Sequence, residues 1–90
     1  MTYSVRLSPH AVRQYQKLDP SVKSRIPAGL DSLHNNPLAG PHITRLKGRL
    51  HGYIRYRVGA YRIVYVVVPA ERAVYVDYIQ HRKDVYRAME

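Results

Sequence analysis

Two runs that alternate with period two are joined by only Gly59-Ala60, and this leaves the chain little choice there but a tight antiparallel hairpin. Once Val58 faces Tyr61, the register follows: Arg57 opposite Arg62, Tyr56 opposite Ile63, Arg55 opposite Val64, and Ile54 opposite Tyr65. A slip by one residue would turn every side chain over. In this register Ile54, Tyr56, Val58, Tyr61, Ile63 and Tyr65 share one face, which requires a cover of helices. Tyr53, Arg55, Arg57 and Arg62 share the other.

The cover lies upstream. Tyr3–Leu7 reads as a short strand, and Ser8 followed by Pro9 starts a helix on which Val12, Tyr15 and Leu18 are expected to face the core. Asp19-Pro20 repeats the start signal, and Val22, Ile26, Leu30 and Leu33 have amphipathic spacing. Pro27 lacks a donor and crowds the preceding turn, so a kink or break is expected between Lys23 and Pro27. The helix should stop by Asn35-Asn36-Pro37, with a loop over Leu38–His42. A third meander strand, Ala73–Ile79, follows the connector Pro69-Ala70-Glu71-Arg72. The expected class is α+β, with an N-terminal strand and two helices on one face of an antiparallel sheet. The order is β-α-α-β-β-β with a short C-terminal helix, in a single domain over residues 1–90.

The arginines decide what the second face is for. The 90 residues carry a formal net charge of +9, from 15 basic and 6 acidic side chains. Eleven of the basic residues are Arg, whose planar fork fits phosphate oxygens in pairs. No acid lies between Asp31 and Glu71, where Arg45, Lys47, Arg49, Arg55, Arg57 and Arg62 all fall. Like charges opposite each other on a strand pair destabilise it by roughly 0.2–1 kcal/mol. Arg57 facing Arg62 therefore implies either a face solvated and screened by salt, or a site for an anion, for which RNA is the natural choice. All nine aromatic residues are Tyr, which suits a half-exposed sheet that can face bases. After the last strand come His81, Arg82 and Tyr86, the latter two on one side of a helical turn. His81 is the side chain of the group best able to move a proton near neutral pH.

Other chemistry is disfavoured. The chain has no cysteine, and its five histidines show no pairing with a second ligand type, so neither a metal nor another cofactor is expected. No apolar run approaches a membrane span, and the first residues do not read as a secretory signal, so a cytoplasmic protein without a membrane partner is expected.

Leu46-Lys47-Gly48, the run Tyr53–Tyr65 and His81-Arg82-Lys83-Asp84-Val85-Tyr86 resemble the RelE/ParE superfamily of type II toxins. The markers are Arg-x-Arg-x-Gly-x-Tyr-Arg and His-Arg-x-x-x-Tyr, and the resemblance covers nearly the whole chain. The ending is more similar to the RelE branch. Its members cut messenger RNA in the ribosomal A site by attack of the 2′-hydroxyl on the adjacent phosphate, without a metal. The resemblance implies a RelE-like fold, a cognate antitoxin, and the ribosome and mRNA as partners. It also implies catalytic roles for Arg55, Arg62, Arg82 and Tyr86: Arg62 on the phosphate charge, Arg82 at the leaving group, Tyr86 against a base.

The best-known RelE pattern carries two lysines where this chain has Tyr53 and Arg55. A guanidinium is a poor base, so His81 is the expected proton-transfer residue, with Tyr53 second; the alternatives are weak catalysis, or a base supplied by the ribosome or a water. Arg45, Lys47, Arg49, Tyr53, Arg57 and Lys83 are expected to contact RNA or phosphate. The alternatives are a ParE-like inhibitor of DNA gyrase and a noncatalytic basic module for RNA or ribosomes.

Overall fold

The computed structural model describes residues 2–89. Its strands are β1 (Ser4–Leu7), β2 (Ile43–Arg45), β3 (Ile54–Val58), β4 (Tyr61–Val68) and β5 (Ala73–His81), and its helices are α1 (Pro9–Gln16), α2 (Pro20–Lys23), α3 (Ile26–Asn35) and α4 (Arg82–Ala88). The hairpin forms in the expected register, from Ile54 opposite Tyr65 to Val58 opposite Tyr61. Gly59 takes a left-handed φ of 59°, while Ala60 does not. One left-handed residue at the first turn position is what a two-residue connection of this kind requires.

The five strands form one sheet in the order β1-β5-β4-β3-β2. Two features depart from the expected antiparallel meander. β1 runs parallel to β5, pairing Ser4 with Ala73 and Leu7 with Val76. The second departure is β2, which pairs antiparallel with β3 beyond the expected loop. Both pairings are made by partners distant in sequence or by a segment of three residues, so no local periodicity announces them.

The first helix begins as expected, with the Ser8 hydroxyl accepting from the Ala11 N–H at 3.0 Å and Pro9 in the first turn. Tyr15, and Leu18 just past the helix end, pack against the core as expected, but the fully buried residue of the helix is Ala11, whereas Val12 is 39% exposed. The small Ala11 suits a helix that runs close along the open edge of β5. There the Ser8 N–H bonds the Val76 carbonyl and the Gln14 side-chain oxygen accepts from the Ile79 N–H at 2.8 Å. Pro27 marks the break: α2 ends at Lys23 and α3 starts at Ile26, which leaves the proline in a first turn where it needs no donor. Gly29 lets α3 approach the sheet, since a Cβ there would lie 3.1 Å from Ile63 and 3.2 Å from Tyr56.

The main core lies between α1, α3 and the face bearing Ile54, Val58, Ile63, Tyr65, Val74, Val76 and Ile79. A register shift opposite Val64/Tyr65 keeps β5 in phase with that core: Val76 pairs with Tyr65 while Tyr78 pairs with Val64. The additional residue, Asp77, emerges at this bulge. Val64 and Val85 are also fully buried but stand outside the main cluster, marking the smaller contact of α4 with the other face.

Tyr65 ties the core to the loop after α3, its buried hydroxyl donating to the Pro37 carbonyl at 2.7 Å. Burial raises the pKa of this phenol far above its ordinary value, with Arg45 opposing the shift and Tyr56 adding to it. A group whose pKa is higher in the folded state stabilises the fold below its unfolded pKa and loses that contribution as pH rises beyond it. For a tyrosine, the loss begins near pH ~10. Tyr65→Phe is expected to lower stability at pH 7 by about 1–3 kcal/mol, because a buried carbonyl loses its donor. The variant should also lose part of the alkaline decline seen above pH ~10. Urea melts across this range check both effects, and an equally steep decline in the variant would remove Tyr65 from the alkaline transition.

Candidate functional site

The face opposite the main core gathers Arg55, Arg57 and Arg62 from the hairpin and Arg82 and Tyr86 from α4. Arg62 is the centre. Only 7% of it is exposed, and its Nη1 donates to the carbonyls of Gly59 and Tyr61, both at 2.9 Å. Its Nε is buried with no hydrogen-bond partner among the described residues. Burial lowers the Arg62 pKa, the charge of Arg55 lowers it further, Tyr86 opposes the shift, and Arg57 and Arg82 add to it. A buried guanidinium surrounded by three others is an electrostatic arrangement that an anion would relieve.

Tyr86 closes the cluster. Its hydroxyl accepts from Arg55 Nη1 at 2.8 Å, joining α4 to the middle of β3. The start of α4 is fixed by the turn itself, the Arg82 N–H donating to the Ala60 carbonyl at 2.8 Å. Thus the strand register delivers Arg55 and Arg62, and the turn delivers Arg82. Gln80, directly opposite Arg62 on β5, is a neighbour that charge and motif spacing did not single out; its Oε1 is buried with no partner among the described residues.

His81 is not brought to this cluster. It pairs with Tyr61, their rings meeting edge-on at 5.3 Å, and Tyr61 lies on the opposite side of the sheet from Arg62. Its Nδ1 caps α4 by accepting from the Lys83 N–H at 3.1 Å. A neutral imidazole has one free lone pair, and here it is engaged in the cap, which places the ring proton on Nε2. His81 would have to release the helix to act as a base. The proton-transfer role expected of it therefore lacks support in the geometry, because adjacency to Arg82 in sequence does not carry the ring to the same side.

Tyr53 lies near the bulge instead, its hydroxyl donating to Asp77 Oδ2 at 3.4 Å. Burial, the Asp77 carboxylate and Tyr78 raise its pKa, so it remains a neutral phenol. Among the expected RNA contacts, Arg57 is exposed at the hairpin tip beside the cluster, and Lys83 is exposed on α4. Lys47 and Arg49 are exposed around the short 3-10 turn Gly48–Leu50. Arg45 pairs with Ile54 and affects the Tyr65 phenol, so it belongs to the main-core side rather than to the arginine face.

A family model described as the ParE toxin of type II toxin–antitoxin systems matches residues 5–86. The chain belongs to the RelE/ParE superfamily of type II toxins. A RelE1 toxin candidate of Methanocaldococcus jannaschii is 28% identical over 89 residues, covering 97% of this chain and 98% of the relative. Among solved structures, a chain of the toxin–antitoxin complex RelBE2 of Mycobacterium tuberculosis superposes with a TM-score of 0.81 at 26% identity, covering 91% of this chain and 100% of the other. The archaeal RelE–RelB complex of Pyrococcus horikoshii OT3 gives 0.74 at 26% identity, over 91% and 97% of the two chains. The chain is thus a toxin of a type II toxin–antitoxin system with a RelE-like fold.

In this toxin His81 caps α4 through its Nδ1. His81→Asn, which preserves a capping acceptor, should hold α4 in place, whereas His81→Ala should cost about 0.5–2 kcal/mol. Thermal melts of the two variants check the difference. An Asn variant as unstable as the Ala variant would argue against the cap.

Proposed function

We propose that the arginine face binds RNA and that the toxin cuts messenger RNA on the ribosome by attack of a 2′-hydroxyl on the adjacent phosphate. The observation that carries this reading is Arg62, a buried guanidinium with an unpartnered Nε in the field of Arg55, Arg57 and Arg82. The superfamily and the RelE relatives support it. In the reaction the 2′-oxygen forms a bond to phosphorus as the bond to the 5′-oxygen breaks, giving a 2′,3′-cyclic phosphate and a 5′-hydroxyl. Negative charge rises on the phosphate oxygens in the transition state, and fixed cations stabilise that state more than the ground state. Arg62 and Arg55 meet this charge, Arg82 faces the departing oxygen, and Tyr86 orients a base by stacking.

The protons go elsewhere. Arginines do not exchange them near neutral pH, Tyr53 is held neutral, and the His81 lone pair is occupied. Water or a ribosomal group receives the 2′-hydroxyl proton and returns one to the 5′-oxygen. A cognate antitoxin completes the assignment, supported by the toxin–antitoxin complexes among the structural neighbours and by the charge of +9, which an acidic partner would complement.

The missing protein base, together with the ParE description of the matching model, favours a second reading as a gyrase poison without hydrolysis. Induced expression separates the two. The nuclease reading expects translation to stop with messages cut inside ribosomes, and Arg62→Ala to lower cleavage by about 10²–10³-fold, as loss of a transition-state donor does, while ribosome binding persists. Intact messages with accumulating double-strand DNA breaks would support the gyrase reading instead.

A further inference from the structure

Two guanidiniums, Arg25 and Arg57, border a cleft of about 610 Å³ at the hairpin tip, lined also by Ser24, Gly29, His42 and Tyr56 among others. Arg25 is laid across Gly59: a Cβ at that glycine would come within 3.1 Å of Arg25 Nη1 and 3.2 Å of Nη2. No carboxylate lines the cleft among the described residues. Arg57 belongs to both places, for it lines this cleft and also contributes to the field at Arg62. Its N–H donates to the His42 carbonyl at 2.9 Å, which holds His42 beside it. The His42 and Tyr56 rings meet with centroids 5.6 Å apart. Both rings also border an adjoining cleft of about 430 Å³, lined further along by Ser32, Asn35 and Asn36.

We infer that this cleft is a subsite for single-stranded RNA, taking the nucleotide next to the one cut at the Arg62 cluster. The flanking phosphate lies between Arg25 and Arg57, and its base rests on the His42–Tyr56 pair. The assignment rests on the nuclease reading of the arginine face. RNA is favoured over an acidic protein segment for two reasons. Its charge recurs at every residue, so one strand can meet the Arg62 cluster, Arg57 and Arg25 in succession. Each base also carries a flat face that aromatic rings bind without regard to sequence, which an Asp or Glu side chain lacks. The strand consequently bends around the hairpin tip instead of continuing along the sheet.

The test uses the full chain and uncleavable 2′-O-methyl RNA oligonucleotides of two residues, or of four extended toward either the 5′ or the 3′ side, with affinity followed by fluorescence anisotropy. One of the extended oligonucleotides should bind wild type about 10-fold more tightly than the dinucleotide, a gain in the range of one stacked base. Arg25→Ala should remove most of that gain and reduce the salt slope for the extended strand by about 0.7, the value for one phosphate contact in a single strand. Binding of the dinucleotide should be unchanged. His42→Ala should reduce the gain without altering the salt slope. Arg13→Ala removes an equal charge from exposed α1, on the β5 side of the sheet, and should leave the gain intact.

Equal weakening of all oligonucleotides by Arg25→Ala and Arg13→Ala would reduce the cleft to general charge and overturn the subsite. So would an absence of any gain on extension. A heptaglutamate peptide that loses affinity on Arg25→Ala, when the extended RNA does not, would assign the cleft to an acidic protein segment and also overturn it. Because these oligonucleotides cannot be cleaved, the result is independent of the expression assay. Intact messages there would sink the nuclease reading without deciding the cleft.

Discussion

The turn at Gly59-Ala60 is the constraint on which the other parts of this molecule converge. Its left-handed φ of 59° is open to glycine, while a residue with a Cβ would cost roughly 1–2 kcal/mol in that conformation. The Gly59 carbonyl then holds Arg62, the Ala60 carbonyl holds the first N–H of α4, and the bare Gly59 Cα lies beneath Arg25. Strand register, the placement of α4 and the corner between α2 and α3 therefore meet at two residues. A side chain at position 59 would disturb the hairpin and the Arg25 guanidinium together.

The legible parts of the fold are those set by local periodicity or by a residue with few options. The β3–β4 register is one, because a two-residue turn and alternating faces leave a single pairing. Pro27 is another, since its missing N–H requires a helix start near it. The parallel partnership of β1 with β5 joins residues about seventy apart, and no window of the chain reports it. In β5 a signal was present: apolar residues at Val74 and Val76 resume at Ile79 instead of 78, and that change of phase is the bulge that brings out Asp77 beside Tyr78. Val12 misled because a short helix with both Ala11 and Val12 can present either, and proximity to the β5 edge favours the smaller residue.

The candidate site divides in the same way. Arg55 and Arg62 could be assigned to one face because parity along a strand is geometric, and Tyr86 could be placed with Arg82 because helical spacing is geometric as well. His81 sits where one periodicity hands over to the other. As the last residue of β5 its side chain follows strand parity toward Tyr61, and as the cap of α4 its Nδ1 is directed at the Lys83 N–H. Motif adjacency to Arg82 carries no information about that reversal. Arg45 could be given no face for a related reason: its strand of three residues is not legible locally.

An arginine cluster of this kind is tolerated only because each member is partly answered. Carbonyl dipoles from the turn hold Arg62 and the Tyr86 hydroxyl holds Arg55, while Arg57 and Arg82 remain in contact with water. These partners are neutral, so they offset desolvation but leave the like charges in place. A bound phosphate changes the sign of the balance, since it attracts every guanidinium at once and supplies acceptors for donors such as the Arg62 Nε. The same field bears on proton transfer. A lysine or imidazole set among four arginines would have its cationic form disfavoured, which would ready it as a base, but the side chains whose charge acts on Arg62 are Arg55, Arg57, Arg82 and Tyr86. The cluster is therefore equipped to hold negative charge rather than to accept a proton.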